Sequence, residues 1–234
     1  MKQHIDINRE EIDITAGRYF FVISGLEENG LDSNRMRKEA YAARAKLEAA
    51  LKPRALVRSF GREVLRENGL FIEGYSFPCR ALSGLEKENV LCVYAFVLTV
   101  GELPDAGQSI LETLYNDFWG TAYANAAGET LQRLLLRHHA EPAYISGPIA
   151  PGTYGMDIKK IPELFQITDG NEIGVHLHDS MMEPVKSCAG FYLVVKSEAQ
   201  LNFMNERCSY CHKGSGGGCA FCCYGKKHNQ RGRA

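Results

Sequence analysis

The stretch SGPIAPGTYGMDIKKIPELFQITDGNEIGVHLHDSMMEPVKSCAGFYLV, residues 146–194, decides how this sequence is read. It opens on a Gly/Pro loop (146–155), a turn signal because proline presets its own φ and glycine accepts positive φ. A short helix is expected near 162–168, with Phe165 close to its middle. Strand candidates at 172–178 and 189–196 flank the polar run Asp179–Ser187. His176 and His178 alternate on the first of these and so share a face, as either a metal pair or one edge of a solvent-facing sheet.

Outward from this stretch, Gln108–His139 has a helical pattern, expected to break near Gly120. Ala124, Ala127, Leu131, Leu134 and Leu135 form one apolar stripe, and Thr121, Asn125 and Glu129 point away from it. VLCVYAFVLTV (90–100) reads as a strand covered on both faces. Asn68–Gly69 sits between β-capable runs and signals a hairpin. Asp32 and Ser33 are candidate caps for a helix running to about Lys52, where Pro53 stops it. Residues 5–24, with the aromatic run RYFFVIS, suit a strand. Strands and helices neither alternate strictly nor segregate, so the expected fold is α+β: a mainly antiparallel twisted sheet with flanking helices over residues 1–204. No internal repeat is visible.

With 45% hydrophobic and 24% charged residues and a net charge of -1, the 234-residue chain reads as a soluble globular protein. That charge points to neither nucleic acid nor a membrane surface as partner. MKQHIDINREEIDI lacks the apolar core of a signal peptide, and the stretch at 90–100 is too short to span a bilayer. The expected compartment is the cytoplasm, where thiols stay reduced. Cys79, Cys92 and Cys188 lie singly in apolar surroundings and are expected to pack as small hydrophobes.

Residues 205–234 read differently. CSYCHKGSGGGCAFCC (208–223) holds five of the eight cysteines. Cys208-x2-Cys211 and Cys219-x2-Cys222 are two pairs of the kind that complete a tetrahedral thiolate site, with Gly214 and Gly216–Gly218 letting the loop between them fold back. Zinc or an iron–sulfur cluster would satisfy the same spacing. Cys223 and His212 are alternate ligands or bystanders. Lys226, Lys227, Arg231 and Arg233 make a solvated basic terminus; with no aromatic residues interleaved, they do not form a nucleic-acid site.

Residues 146–194 resemble the reactivation (activation) domain of cobalamin-dependent methionine synthase, and more closely small stand-alone proteins related to it. The likeness rests on the loop Ala150-Pro151-Gly152-Thr153-Tyr154, the helix carrying Phe165, and the segment Asp179-Ser180-Met181-Met182-Glu183-Pro184-Val185-Lys186-Ser187. The order of elements at 15–140 follows the same pattern, and many of the stand-alone proteins also carry a C-terminal cysteine cluster. The resemblance implies an accessory protein that covers the cobalamin of a separate corrinoid-carrying methyltransferase and, with S-adenosylmethionine and an electron donor protein, helps to restore methylcobalamin. It implies that Glu129 faces the S-adenosylmethionine ammonium, that the backbone at Ala150, Pro151 and Gly152 meets that ligand, and that Tyr154 approaches the corrin. This chain departs from the pattern at Pro148, where the family has an arginine for the ligand carboxylate. It departs again at Asn125, in place of an aspartate, and at Gln200-Leu201, in place of a tyrosine pair. Thr153 is an extra residue in the loop.

Overall fold

The computed structural model describes residues 1–26, 34–104, 109–140 and 142–206, with side chains through 203. Along the chain run β1 (Lys2–Asp6), α1 (Arg9–Ser24), α2 (Asn34–Glu48), β2 (Arg54–Phe60), β3 (Leu65–Arg66), β4 (Gly69–Ile72), β5 (Tyr75–Pro78) and β6 (Val90–Thr99). They are followed by α3 (Ile110–Leu136), β7 (Tyr144–Ile145), α4 (Ile161–Thr168), β8 (His176–His178), β9 (Met181–Glu183) and β10 (Ser187–Val195), and the described chain ends in a 3₁₀ segment, Glu198–Glu206.

β6 organises the molecule. Successive side chains on a strand point to opposite faces, and on β6 both sets are buried: Val93, Ala95 and Val97 on one face, Tyr94, Phe96 and Leu98 on the other. The sheet around it has the order β1-β2-β6-β10-β7, and every neighbouring pair is antiparallel. The face carrying Tyr94 and Phe96 packs on α1, α2 and α3, with Trp119, Tyr123, Phe20 and Leu47 between the layers. The opposite face is covered by α4, the small sheet β3-β4-β5 and the chain around 149–156. The result is α+β with an antiparallel sheet and flanking helices, as expected.

Several local expectations are corrected. Residues 9–24 form a helix, where RYFFVIS suggested a strand. Asn8 caps it by accepting from the Glu10 amide, Glu10 and Glu11 sit in the first turn, and Ile12, Ala16 and Phe20 recur at helical spacing on the face that meets α3. α3 runs unbroken through Gly120. That glycine is there for close approach, because a Cβ would lie 2.6 Å from Leu103 Cδ1 and 3.0 Å from the Lys186 stem. The first hairpin exists, but Arg66 pairs Gly69, so Glu67 and Asn68 make its turn. The next hairpin turns at Glu73 and Gly74, both at positive φ, which matches the twist of the flanking strands. Residues 170–173 are 3₁₀, and the strand expected at 172–178 is confined to His176–His178. α4 lies where the sequence placed it; α2 ends at Glu48, short of the expected Lys52, and the expected caps Asp32 and Ser33 fall outside the described residues.

Candidate functional site

The Gly/Pro loop is held by one strand. Ile149 and Phe191 exchange both backbone hydrogen bonds (2.9 and 2.7 Å), so the chain beyond β7 stays against β10. The approach needs Gly190: a Cβ there would stand 2.8 Å from the Ile149 carbonyl and 3.3 Å from the Ala150 methyl. From the helical side, Gln132 of α3 donates to the Ser146 carbonyl (2.6 Å), tying α3 to the start of the loop.

Within the loop, Thr153 bonds back onto Ala150. Its hydroxyl accepts from the Ala150 amide at 2.9 Å and donates to the Ala150 carbonyl at 2.7 Å, and its own amide also reaches that carbonyl. The Gly152 amide donates to Met156 (2.9 Å). Both backbone groups of Ala150 are therefore engaged inside the loop. Pro151 is buried and Gly152 exposed.

Tyr154 lies at φ 52, an unusual conformation for a bulky residue, and its ring is only 2% exposed. The ring belongs to the core under the sheet, in the same buried cluster as Phe77 and Phe191 and edge-on to Phe203, and the Cys79 thiol donates to the Tyr154 carbonyl at 3.4 Å. The side chain that the resemblance sends toward a corrin is thus enclosed by protein. What the loop presents outward is Pro148, Gly152 and Gly155, with Gly147, Ala150 and Thr153 half-buried.

Glu129 stands on α3, one turn before Gln132. Its carboxylate accepts from Tyr19 Oη at 3.3 Å and lies 3.9 Å from an Arg18 Nη atom, both on α1. Glu129 and the loop thus meet the same end of α3 without a hydrogen bond between them. Asn125, one turn earlier, is exposed and bonds the Thr121 carbonyl of its own helix.

The two strand histidines diverge in their partners. His176 Nδ1 is 2.8 Å from the Asn171 side-chain oxygen, and His178 Nε2 is 3.4 Å from Glu183. Among the described residues no group of three or more His, Cys, Asp or Glu is placed to hold a metal. Cys79 is buried; Cys92 and Cys188 are half-buried, and all three thiols are free. Cys208, Cys211, Cys219 and Cys222 lie outside the described residues. No helix among the described residues is long and apolar enough to cross a membrane.

Arg18, Tyr19 and the Thr153 hydroxyl were missed in the sequence. A threonine three residues after Ala150 is a local signal for a side chain turning back on the backbone. Arg18 carries no signal in a segment whose composition suits a strand.

This architecture defines a class by its fold: an antiparallel α+β domain with its Pro-Gly loop laid against the strand next to the sheet centre. A crystal structure of the MetH reactivation domain bound to AdoHcy matches it with a TM-score of 0.53 and 17% sequence identity, covering 85% of this chain and 79% of that one. At that identity the likeness is one of fold. No protein-family model matches the sequence, and no curated protein does.

Proposed function

We propose that this chain is an accessory protein that caps the corrin of a separate cobalamin-dependent methyltransferase, methionine synthase foremost, and assists its reductive remethylation. The supporting observation is the fold match over 85% of the chain, together with a loop that Ile149 and Gly190 hold rigidly on β10. A rigid loop suits a cap, because little ordering entropy is lost when it meets a flat ring. With Tyr154 enclosed, the surface offered to the ring would be Pro148, Gly152 and Gly155 with the half-buried Thr153. S-adenosylmethionine would supply the methyl group and an electron donor protein the electron. The tail cysteines would hold zinc or an iron–sulfur cluster and either tie down the terminus or relay that electron.

A second reading is a metal-stabilised binding or electron-transfer module that no longer holds S-adenosylmethionine. It is favoured by the Ala150 amide and carbonyl, both engaged by Thr153, and by the uncharged Pro148.

The two readings part in one assay. Purified protein is added to an oxidised corrinoid methyltransferase with a reductant, with and without S-adenosylmethionine. Restored turnover that needs both additions supports the cap. No restoration in any arm, with no complex formed by calorimetry, overturns it.

A further inference from the structure

The outer edge of β1 is open. Met1 and Ser59 exchange both backbone hydrogen bonds (3.4 and 2.9 Å), and the Ile7 amide donates to the Pro53 carbonyl at 3.0 Å. Such exchanges alternate along an antiparallel pair, so in the register of β1 on β2 it is Met1, Gln3, Ile5 and Ile7 that bond to β2. The N–H and C=O groups of Lys2, His4 and Asp6 point the other way, and among the described residues no strand pairs with them. The register runs from Lys2 to Asp6 without a bulge and the segment KQHID contains no proline, so two of the usual devices that blunt an edge are missing. The opposite edge of the sheet, β7, spans only Tyr144–Ile145 and offers no comparable template.

The charges say what this edge accepts. A lysine alone repels a second strand, but Lys2 and Asp6 stand at the two ends of the open row, equally far from His4. When KQHID is laid antiparallel on another KQHID about a two-fold axis at His4, Lys2 of each copy faces Asp6 of the other, an opposite-charge pair at both ends. Within the single chain, Lys2 is paired with Glu172 and lies 3.6 Å from Asp169, and His4 Nε2 is 2.9 Å from Glu172. Asp6 is exposed, and among the described residues its carboxylate has neither an ion pair nor a hydrogen bond. A shallow open depression beside it is lined by Asp6, Arg54, Glu172 and Gly174. Residues opposite one another on paired strands share a face, so the partner's Lys2 would arrive over this depression, between two carboxylates.

We infer that β1 pairs with β1 of a second copy of this chain, antiparallel about His4, and joins the two five-stranded sheets into one. Each facing pair, Lys2 with Asp6 and His4 with His4, then exchanges two backbone hydrogen bonds. The contact uses the same residues on both copies, so it closes at a dimer. β1 and β7 are opposite edges of the sheet, and the Pro-Gly loop lies against β10 beside β7. Both loops therefore stay clear of the joint, and the inference stands apart from the functional reading above.

The test is sedimentation velocity on the intact chain, under reductant so that the tail thiols cannot cross-link copies, from micromolar to millimolar concentration. The parent should pass from monomer to dimer as concentration rises. Lys2→Glu alone sets like charges opposite Asp6, and Asp6→Lys alone sets them opposite Lys2. Each variant by itself should dimerise about tenfold more weakly, the effect of reversing the charge pair at both ends of the row. Mixed in equal amounts, the two variants should form a heterodimer as strong as the parent dimer, because opposite charges then face one another at both ends. Circular dichroism of each variant should match the parent, since both side chains lie on the exposed edge. A parent that stays monomeric throughout leaves the edge to a strand of some other protein and overturns the inference. Single variants that dimerise as the parent does, or a mixture no stronger than its components, overturn it as well.

Discussion

The ring of Phe203 meets that of Tyr154 edge-on, with centroids 5.9 Å and planes 81° apart. Phe203 belongs to the last described segment and Tyr154 to the Pro-Gly loop, so that segment and the candidate site meet through an aromatic contact. Gln200 adds a second tie by accepting from the Glu86 amide at 3.2 Å.

The contact predicts coupling. Edge-to-face pairs contribute about 0.5–1.5 kcal/mol beyond the area they bury. A double-mutant cycle with Tyr154→Leu and Phe203→Leu, read by urea unfolding, should therefore give a coupling of about 1 kcal/mol. Additive single effects would mean that the two rings touch without supporting each other.

Two glycines should respond in opposite directions to alanine. Gly17 lies inside α1 with nothing within 4 Å of a built Cβ, so Gly17→Ala should stabilise by about 0.5–1 kcal/mol through the unfolded chain's lost freedom. Gly190→Ala drives a methyl into the Ile149 carbonyl and should cost about 1–3 kcal/mol. It should also raise amide exchange at Phe191 and Ile149, whose reciprocal bonds hold the loop. Urea midpoints and hydrogen exchange of the two variants check both directions.

The strand at the sheet centre was legible because β6 is apolar from Val90 to Leu98, a run that burial on both faces explains. α2 was legible from its period and from Pro53 beyond its end, and the short helix expected near 162–168 is α4. α1 was not: Arg18-Tyr19-Phe20-Phe21-Val22 has the composition of a strand, and tertiary packing overrides it by sending Phe20 inward onto Trp119, stacked at 4.0 Å, while Val22 faces solvent. The turn at Glu73-Gly74 carries only half of the usual hairpin signal. The loop itself was found, but the orientation of Tyr154 was not. A chain pattern gives the position of a tyrosine and leaves open whether its ring points into the core or away from it.

Arg44 should be the most sensitive charge in the helical layer. Its Nε lies 2.7 Å from Glu48 and 3.0 Å from Tyr123 Oη, one Nη is 3.4 Å from Asp13, and the guanidinium sits 4.9 Å over the Trp119 ring. The side chain is 19% exposed. Arg44→Ala leaves two carboxylates facing one another and should lower stability by about 2–4 kcal/mol. Arg44→Lys should recover less than half, since an ammonium cannot make the planar set of contacts.

The tail predicts a metal stoichiometry. If Cys208, Cys211, Cys219 and Cys222 form one tetrahedral site, protein purified without oxygen should carry one zinc or one cluster. Cys208→Ser combined with Cys219→Ser should abolish it, and Cys223→Ser should leave it intact. Metal analysis and the visible spectrum distinguish zinc from iron–sulfur. Retention of metal by the double variant would remove the site from these cysteines.

The Cys79 thiol should make stability fall on the alkaline side. It is buried beneath the loop, and burial pushes it up to about 11, whereas a cysteine in the unfolded chain titrates near about 8.5. Between those values the unfolded chain releases a proton that the folded one keeps. The stabilisation is therefore complete below the unfolded value and is lost as pH rises toward the folded one, by at most about 1.4 kcal/mol per pH unit. Cys92, raised to about 11 by burial as well, adds in the same window. Cys79→Ala should lower stability at pH 7 by removing a packed side chain and its bond to the Tyr154 carbonyl, yet flatten the decline between pH 9 and 11. Urea unfolding at half-unit steps across that range gives both slopes. Equal slopes for parent and variant would place the thiolate of Cys79 in contact with water, and with it the floor of the loop.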